Sequence, residues 1–183
     1  GPSCRLCRRA GDKLFLKGER CFTPRCGVER RRTPPGEQLR RRRRASDWGM
    51  QLREKQKARV IYGVLERQFR GYFEEADKTP QATGQVLLQL LERRLDNVVY
   101  RLDFAESRKQ ARQLVRHGHI VVGSRKVTIP SYLVKPGEVV GWKQVSQDKE
   151  FVKSIADGIP RKTVPDWLSL DRDTLKGEVV RMP

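Results

Sequence analysis

Four cysteines crowd into the first 26 residues, at Cys4, Cys7, Cys21 and Cys26, and none follows them. The spacing is C-x2-C, thirteen residues, then C-x4-C. Two close pairs joined by a loop can bring four thiolates to the corners of a tetrahedron, the arrangement of a structural zinc site. The first pair encloses the tight turn Arg5-Leu6, and the second contains Pro24, which stiffens it. A head of this size cannot fold by packing alone, so bound metal would supply its folding energy. Closed four-coordinate zinc leaves no position for a catalytic water. Two disulfides or four free thiols are the alternatives. Disulfides suit secreted chains, and no apolar signal segment is visible at the start. One structural zinc is therefore the expected cofactor. The neighbouring Arg5, Arg8, Arg9, Arg20 and Arg25 would favour the thiolate forms and present cations outward.

Charge narrows the class of partner. The 183 residues carry 40 Lys+Arg against 22 Asp+Glu, a net +18. The excess is local. Residues 1–45 hold 15 basic and 4 acidic side chains, and residues 94–135 hold 9 and 3, while the rest is near neutral. Arginine outnumbers lysine 27 to 13, and its planar fork suits phosphate and base contact better than a point charge. Biased genomic base composition is the bland alternative. No run approaches the ~20 apolar residues of a membrane span. A polyanionic partner is expected, with nucleic acid first and neither a membrane nor a small-molecule substrate.

After the cysteines come Arg30, Arg31 and Arg32, then Pro34-Pro35-Gly36, which forbids helix. Arg40, Arg41, Arg42, Arg43 and Arg44 follow without interruption. Such a run repels itself when alone, and against phosphates it releases counterions. A localisation tag or solvated tail is the rival reading. The run's place between a metal-bound head and a helical body argues against it.

The body reads as helices. Ser46 or Asp47 caps a helix over about 47–59, and Gly63 punctuates it. A second helix covers about 65–77, with Leu65, Phe69, Tyr72, Phe73 and Ala76 on one face. Those aromatics read as core rather than as stacking platforms. A third begins near Thr83 and runs through Leu87, Leu90, Leu91, Leu95, Val98, Val99 and Leu102.

The next segment carries the most specific signal for binding. Ser107-Arg108-Lys109-Gln110 has the capping-box form, opening a helix over 108–116. Arg108/Arg112 and Arg112/Arg116 are like-charge pairs four residues apart, mildly destabilising unless an anion meets them. A solvated face is the rival. Gly118 fits a left-handed helix end. Residues 119–122 and 125–128 then read as strands joined by a Gly123-Ser124 hairpin, with further strands at 132–134 and 138–142. Arg125 and Lys126 extend the basic surface. His117 and His119 read as local hydrogen-bonding or packing residues, since no other His or Cys accompanies them.

These residues also carry a resemblance. Arg94-Leu95-Asp96-Asn97-Val98-Val99-Tyr100-Arg101-Leu102 and Ser107-Arg108-Lys109-Gln110-Ala111-Arg112-Gln113-Leu114-Val115-Arg116-His117-Gly118-His119-Ile120 resemble the RNA-binding domain named after bacterial ribosomal protein S-four. Leu52-Arg53-Glu54-Lys55-Gln56-Lys57, Ile61-Tyr62-Gly63-Val64-Leu65-Glu66-Arg67-Gln68-Phe69 and Trp167-Leu168-Ser169-Leu170-Asp171 resemble the small-subunit ribosomal protein family itself, and the cysteines its zinc-binding branch. The family's Pro-Gly-Gln-His-Gly stands here as Pro35-Gly36-Glu37-Gln38-Leu39, and its Asn-Gly hairpin turn as Gly123-Ser124. A further strand and tail after Pro183 are expected from the resemblance, and with no initiator Met a longer parent chain is expected.

The resemblance implies an α+β fold. A zinc head and arginine-rich extension cover 1–45. A helical domain covers 46–93 and is completed by 160–183, and a small α+β RNA-binding domain is inserted at 94–159. It implies a non-enzymatic component of the small ribosomal subunit that binds the 5′ domain of small-subunit ribosomal RNA and nucleates assembly. It further implies contacts with neighbouring ribosomal proteins and with messenger RNA near the path by which it enters, and a part in translational accuracy. The implied compartment is the cytoplasm, with an organellar ribosome open. The expected RNA-facing set is Arg8, Arg9, Arg30 to Arg32, Arg40 to Arg44, Arg53, Lys55, Lys57, Arg59, Arg67, Arg108, Lys109, Arg112, Arg116, His117, Arg125 and Lys126. RNA-modifying enzymes and tyrosyl-tRNA synthetases attach the same domain to a large catalytic one, for which this chain offers no segment, nucleophile–base set or phosphate loop. A zinc-dependent DNA-binding regulator and a stress-type RNA chaperone are the remaining rivals.

Overall fold

The computed structural model describes residues 3–36, 46–147, 149–156 and 163–183. Arg40 to Arg44, and the Glu37-Gln38-Leu39 departure, lie outside the described residues. The chain divides into two compact units, residues 1–69 and 70–183. The division falls inside the helix Glu66–Asp77.

In the first unit, α1 (Ser3–Ala10) leads to a 3-10 turn at Gly18–Phe22, the short α2 (Gly27–Arg30) and α3 (Asp47–Tyr62). Its core is small: Cys7, Leu14 and Leu16, with Ala10, Val28, Val60 and Ile61 packed against them. Ser46, not Asp47, is the N-cap of α3, its hydroxyl accepting from the Gly49 N–H at 3.2 Å. The helix outruns its expected end at 59 and stops at Gly63, whose φ of 65° is the left-handed closure. No residue of α3 is buried. No described helix is long and apolar enough to cross a membrane.

α4 (Glu66–Asp77) carries the chain into the second unit, followed by α5 (Thr83–Glu92), α6 (Leu95–Arg101) and α7 (Arg108–Arg116). The expected long helix from Thr83 to Leu102 is broken. Arg94 turns extended, with φ −61° and ψ 135°, between α5 and α6. The cause is tertiary. Arg94 bridges Leu133, the Leu95 N–H donates to the Tyr132 carbonyl at 2.8 Å, and the Val134 N–H donates to the Arg93 carbonyl at 3.0 Å. Residues 132–134 are thereby occupied with the helix junction and do not form the expected strand.

β1 (Ile120–Val122), β2 (Arg125–Lys126) and β3 (Val139–Trp142) follow; then come α8 (Gln144–Gln147), α9 (Glu150–Ala156), β4 (Leu168–Asp171) and β5 (Lys176–Val179). All pairs are antiparallel, in the order β2-β1-β3-β5-β4. The fold is α+β. The expectation that 160–183 completes the helical domain is corrected here. β5 pairs with β3 in the register Val140↔Gly177, and Leu168 and Val179 bury their side chains in the core that α6 and α7 also build. Helix and sheet share one core built on Leu95, Val98, Leu102, Phe104, Val115, Ile120, Val140 and Trp142, all 3% exposed or less. Gly123 has φ 59° and Ser124 is not in the left-handed region, the pattern of a type II′ hairpin rather than the I′ turn an Asn-Gly pair would make.

Candidate nucleic-acid interface

The basic helix stands on a polar frame. Ser107 caps α7, its hydroxyl accepting from the Gln110 N–H at 3.4 Å. The Gln110 amide oxygen accepts in return from the Glu106 N–H at 2.8 Å. Beneath it, Arg94 is fully buried. Its Nε and Nη2 donate to the two carboxylate oxygens of Asp96 at 3.1 and 2.8 Å, and Nη1 donates to the Tyr72 hydroxyl at 2.8 Å. These partners hold the Arg94 guanidinium charged, raising its pKa against the opposing effect of burial. The same carboxylate lies 3.5 Å from Arg112 Nη1.

Two of the expected phosphate ligands of α7 are engaged by named partners in the fold. Arg108 donates from Nε to the Asn97 side-chain oxygen at 2.8 Å and lies over the Tyr100 ring at 4.5 Å. Asn97 in turn donates to the Glu92 carbonyl and carboxylate, each at 2.8 Å. Arg108 and Arg112 are thus tied to the fold. Lys109, Arg116 and His117 are exposed along α7 and its end, and Arg125 and Lys126 are exposed on the hairpin. The two groups meet at Gly118. A Cβ there would lie 2.2 Å from Lys126 Cε, so the lysine stem crosses the bare glycine backbone.

His119 is half-buried beside them. Its Nδ1 is 3.0 Å from the Ser146 hydroxyl, and its ring meets Phe151 edge-on at 5.4 Å. Burial, then the charges of Lys149, His117 and Lys126, push its pKa below the usual imidazole value. Lys149 was not among the expected residues. It is a lone lysine with no run or motif around it, and only the fold brings it near His119.

The first unit brings Arg9, Arg53, Lys57 and Arg59 to the wall of one groove, floored by Leu6, Leu14, Leu52 and Val60. Much of this charge is answered. Lys57 pairs with Asp12 and with Glu54, hydrogen bonds that raise its pKa. Lys55 reaches Glu66 at 2.5 Å and holds that carboxyl below its usual range. Arg59 donates to Gln56 at 2.8 Å and lies 3.4 Å from Glu66. Arg8 does not project. Its Nε donates to the Thr33 carbonyl at 2.8 Å, fastening the start of the Pro34-Pro35 segment to the head. Arg5, Arg9, Arg30, Arg31, Arg32, Arg53 and Arg67 are exposed.

The four thiols gather in one head. Cys7, Cys21 and Cys26 are buried and Cys4 is half-buried. The Lys17 N–H donates to Cys21 Sγ at 3.4 Å. Gly27 leaves the room that Cys4 occupies, since a Cβ at 27 would stand 2.7 Å from Cys4 Cβ and 3.0 Å from its sulfur. Burial pushes the Cys7 thiol up, and the other three cysteines add to the shift. Among the described residues no group of three or more metal-binding side chains is closed into a coordinating arrangement. The donor set itself, four soft thiols with an N–H directed at one sulfur, has the chemistry of a zinc site.

Comparison with known proteins adds the family. Residues 1–92 match the ribosomal protein S4/S9 N-terminal domain, and residues 93–140 match the S4 domain. Among relatives, a small ribosomal subunit protein uS4 of Geobacter sp. (strain M21) is 56% identical over the whole chain and 88% of its own length. A uS4A of Symbiobacterium thermophilum is 56% identical over the same shares. A uS4 of Halothermothrix orenii is 54% identical, again over the whole chain and 88% of its own length.

Proposed function

The chain belongs to the ribosomal protein S4 family, a family of structural ribosomal components and not of enzymes, and from that premise we propose that it binds the 5′ domain of small-subunit ribosomal RNA and nucleates subunit assembly. The observation that carries this reading is the cationic surface of Lys109, Arg116, Arg125 and Lys126, exposed with His117 on one helix end and one hairpin. A rigid backing of ion pairs and a shared core holds that surface in place. Such a surface reads folded RNA by shape, phosphate and 2′-hydroxyl contact rather than by base sequence. A net charge of +18 would steer the encounter.

Within the same reading, the first unit adds a second RNA contact through Arg9, Arg53 and the Arg30 to Arg32 segment. Arg40 to Arg44 would line the path by which messenger RNA enters and bear on translational accuracy, alongside neighbouring ribosomal proteins. The place of action is the ribosome, in the cytoplasm or an organelle. Cys4, Cys7, Cys21 and Cys26 would hold one zinc, whose chemistry there is structural, pinning the head against the arginines it carries.

The test is co-sedimentation. The full chain should stay with small subunits through a high-salt wash and bring one zinc per chain. Loss of the protein at moderate ionic strength, together with no binding to the isolated 5′-domain RNA, would overturn the proposal.

A further inference from the structure

Two phenylalanines of the cysteine head are stacked on its outside. The Phe15 and Phe22 rings lie 5.0 Å apart, tilted by 27°. Phe22 is 74% exposed and Phe15 41%. Their neighbours in sequence do the packing: Leu14 and Leu16 are buried on either side of Phe15, and Cys21 is buried beside Phe22. Phe15 reaches its position through a φ of 49°, a left-handed backbone that is an outlier for a bulky side chain. Observed strain of this kind is a reason to look for function. The Phe22 ring sits at the end of the 3-10 turn, next to Cys21, whose sulfur receives the Lys17 N–H. The pair is therefore backed by a constrained turn, with one side of Phe22 covered by Phe15 and the other open.

The segment that carries the pair is mostly positive. Lys17, Arg20 and Arg25 are exposed in the same segment, against the single acid Glu19. A flat apolar ring among cations matches an unpaired base and its phosphates. Bases stack on aromatic rings whatever their identity, and the cations track the backbone. A protein partner fits less well. An aromatic side chain buries roughly 150–250 Å2 in full, so two half-used rings fall well short of the ~800 Å2 per partner of a standard interface. Duplex RNA fits no better, because its bases are already stacked.

We propose that Phe22, backed by Phe15 and carried on a segment with exposed Lys17, Arg20 and Arg25, is a stacking platform for one unpaired base of RNA. This rests on the RNA-binding reading above and names a contact within it.

The test uses the zinc-loaded full chain, with Phe22→Trp, Phe22→Leu and Phe22→Ala variants. The ligands are 5′-domain ribosomal RNA, a single-stranded RNA decamer and a duplex of the same length. Phe22→Trp should bind as the wild type does. Phe22→Leu and Phe22→Ala should bind the two unpaired-base ligands about five- to 150-fold more weakly, the worth of one stacked base. Their salt slope should be unchanged, since no phosphate contact is lost, and duplex affinity should not move. Zinc content and the thermal transition establish that the variants fold; should Phe22→Ala fail, the Leu and Trp pair decides. Wild-type affinity in Phe22→Leu overturns the platform while leaving ribosomal RNA binding intact. So does a defect confined to binding another ribosomal protein. If the wild type ignores ribosomal RNA but holds the decamer in a Phe22-dependent way, the broader reading falls and the platform stands. If it binds neither, both fall.

Discussion

Arg94 and Asp96 form a two-pronged ion pair sealed from solvent, with 0% and 4% of their side chains exposed. The pair sits where α5 breaks and α6 begins, and Tyr72 and Arg112 complete it. Removing one partner of such a pair strands a buried charge, at a cost of about 3–5 kcal/mol. Asp96→Asn should therefore lower the unfolding free energy read from urea titration of the full chain by that order. A double change, Arg94→Met with Asp96→Leu, should cost markedly less. Equal losses in the single and double variants would mean that the cost lies in packing and not in charge.

Gly177 and Leu102 are matched more closely still. A Cβ at 177 would stand 2.3 Å from Leu102 Cδ2 and 2.4 Å from Cδ1. Gly177→Ala should destabilise by about 1–3 kcal/mol through overpacking. Gly141→Ala, where the nearest atom is a flexible Lys176 Cγ at 3.2 Å, should cost less. Thermal melts of both variants check the ranking and, with it, the membership of β5 in this core.

The α7 arginines should behave differently on substitution. Arg116→Gln and Lys109→Gln remove exposed cations, and each should reduce the slope of log affinity against log salt for ribosomal RNA by about one phosphate contact's worth. Arg108→Gln breaks the contacts to Asn97 and Tyr100, and should show first as lost stability. Filter binding across a salt series, read beside a melt, separates the two. An Arg108 variant of wild-type stability with a reduced slope would return that residue to the RNA-facing set.

His119 makes stability depend on pH. Its folded-state pKa lies below the ordinary 6.5, chiefly through burial. The unfolded chain then takes up the proton first as pH falls. The contribution is complete above the unfolded value and is lost as pH drops through the window beneath it. The urea midpoint should fall as pH drops below the ordinary imidazole value, and His119→Gln should flatten part of that fall. Lys149→Gln removes the largest of the neighbouring charges and should do so in part, since Lys126 and His117 remain. Parallel curves for wild type and the His119 variant would refute the assignment.

Local signals were legible where the physics is local. Ser46 and Ser107 cap their helices because a hydroxyl beside a free N–H needs nothing further. Gly63, Gly118 and Gly123 take the positive φ that their turns require. The helical apolar spacing from Thr83 to Leu102 misled, because it continues through a residue whose backbone is claimed by Leu133 and whose side chain is claimed by Asp96.

What the sequence determined by itself is the inventory: four thiols at a metal-site spacing, two cationic segments, and a capped basic helix ahead of a hairpin. Those follow from neighbours along the chain. The tertiary structure alone decided that 168–179 completes the sheet and that Arg108 and Arg112 face Asn97 and Asp96. It alone placed Lys149 by His119 and left Phe15 and Phe22 outside. Each of these depends on which distant atoms fill the space or answer the charge, and no spacing along the chain encodes that.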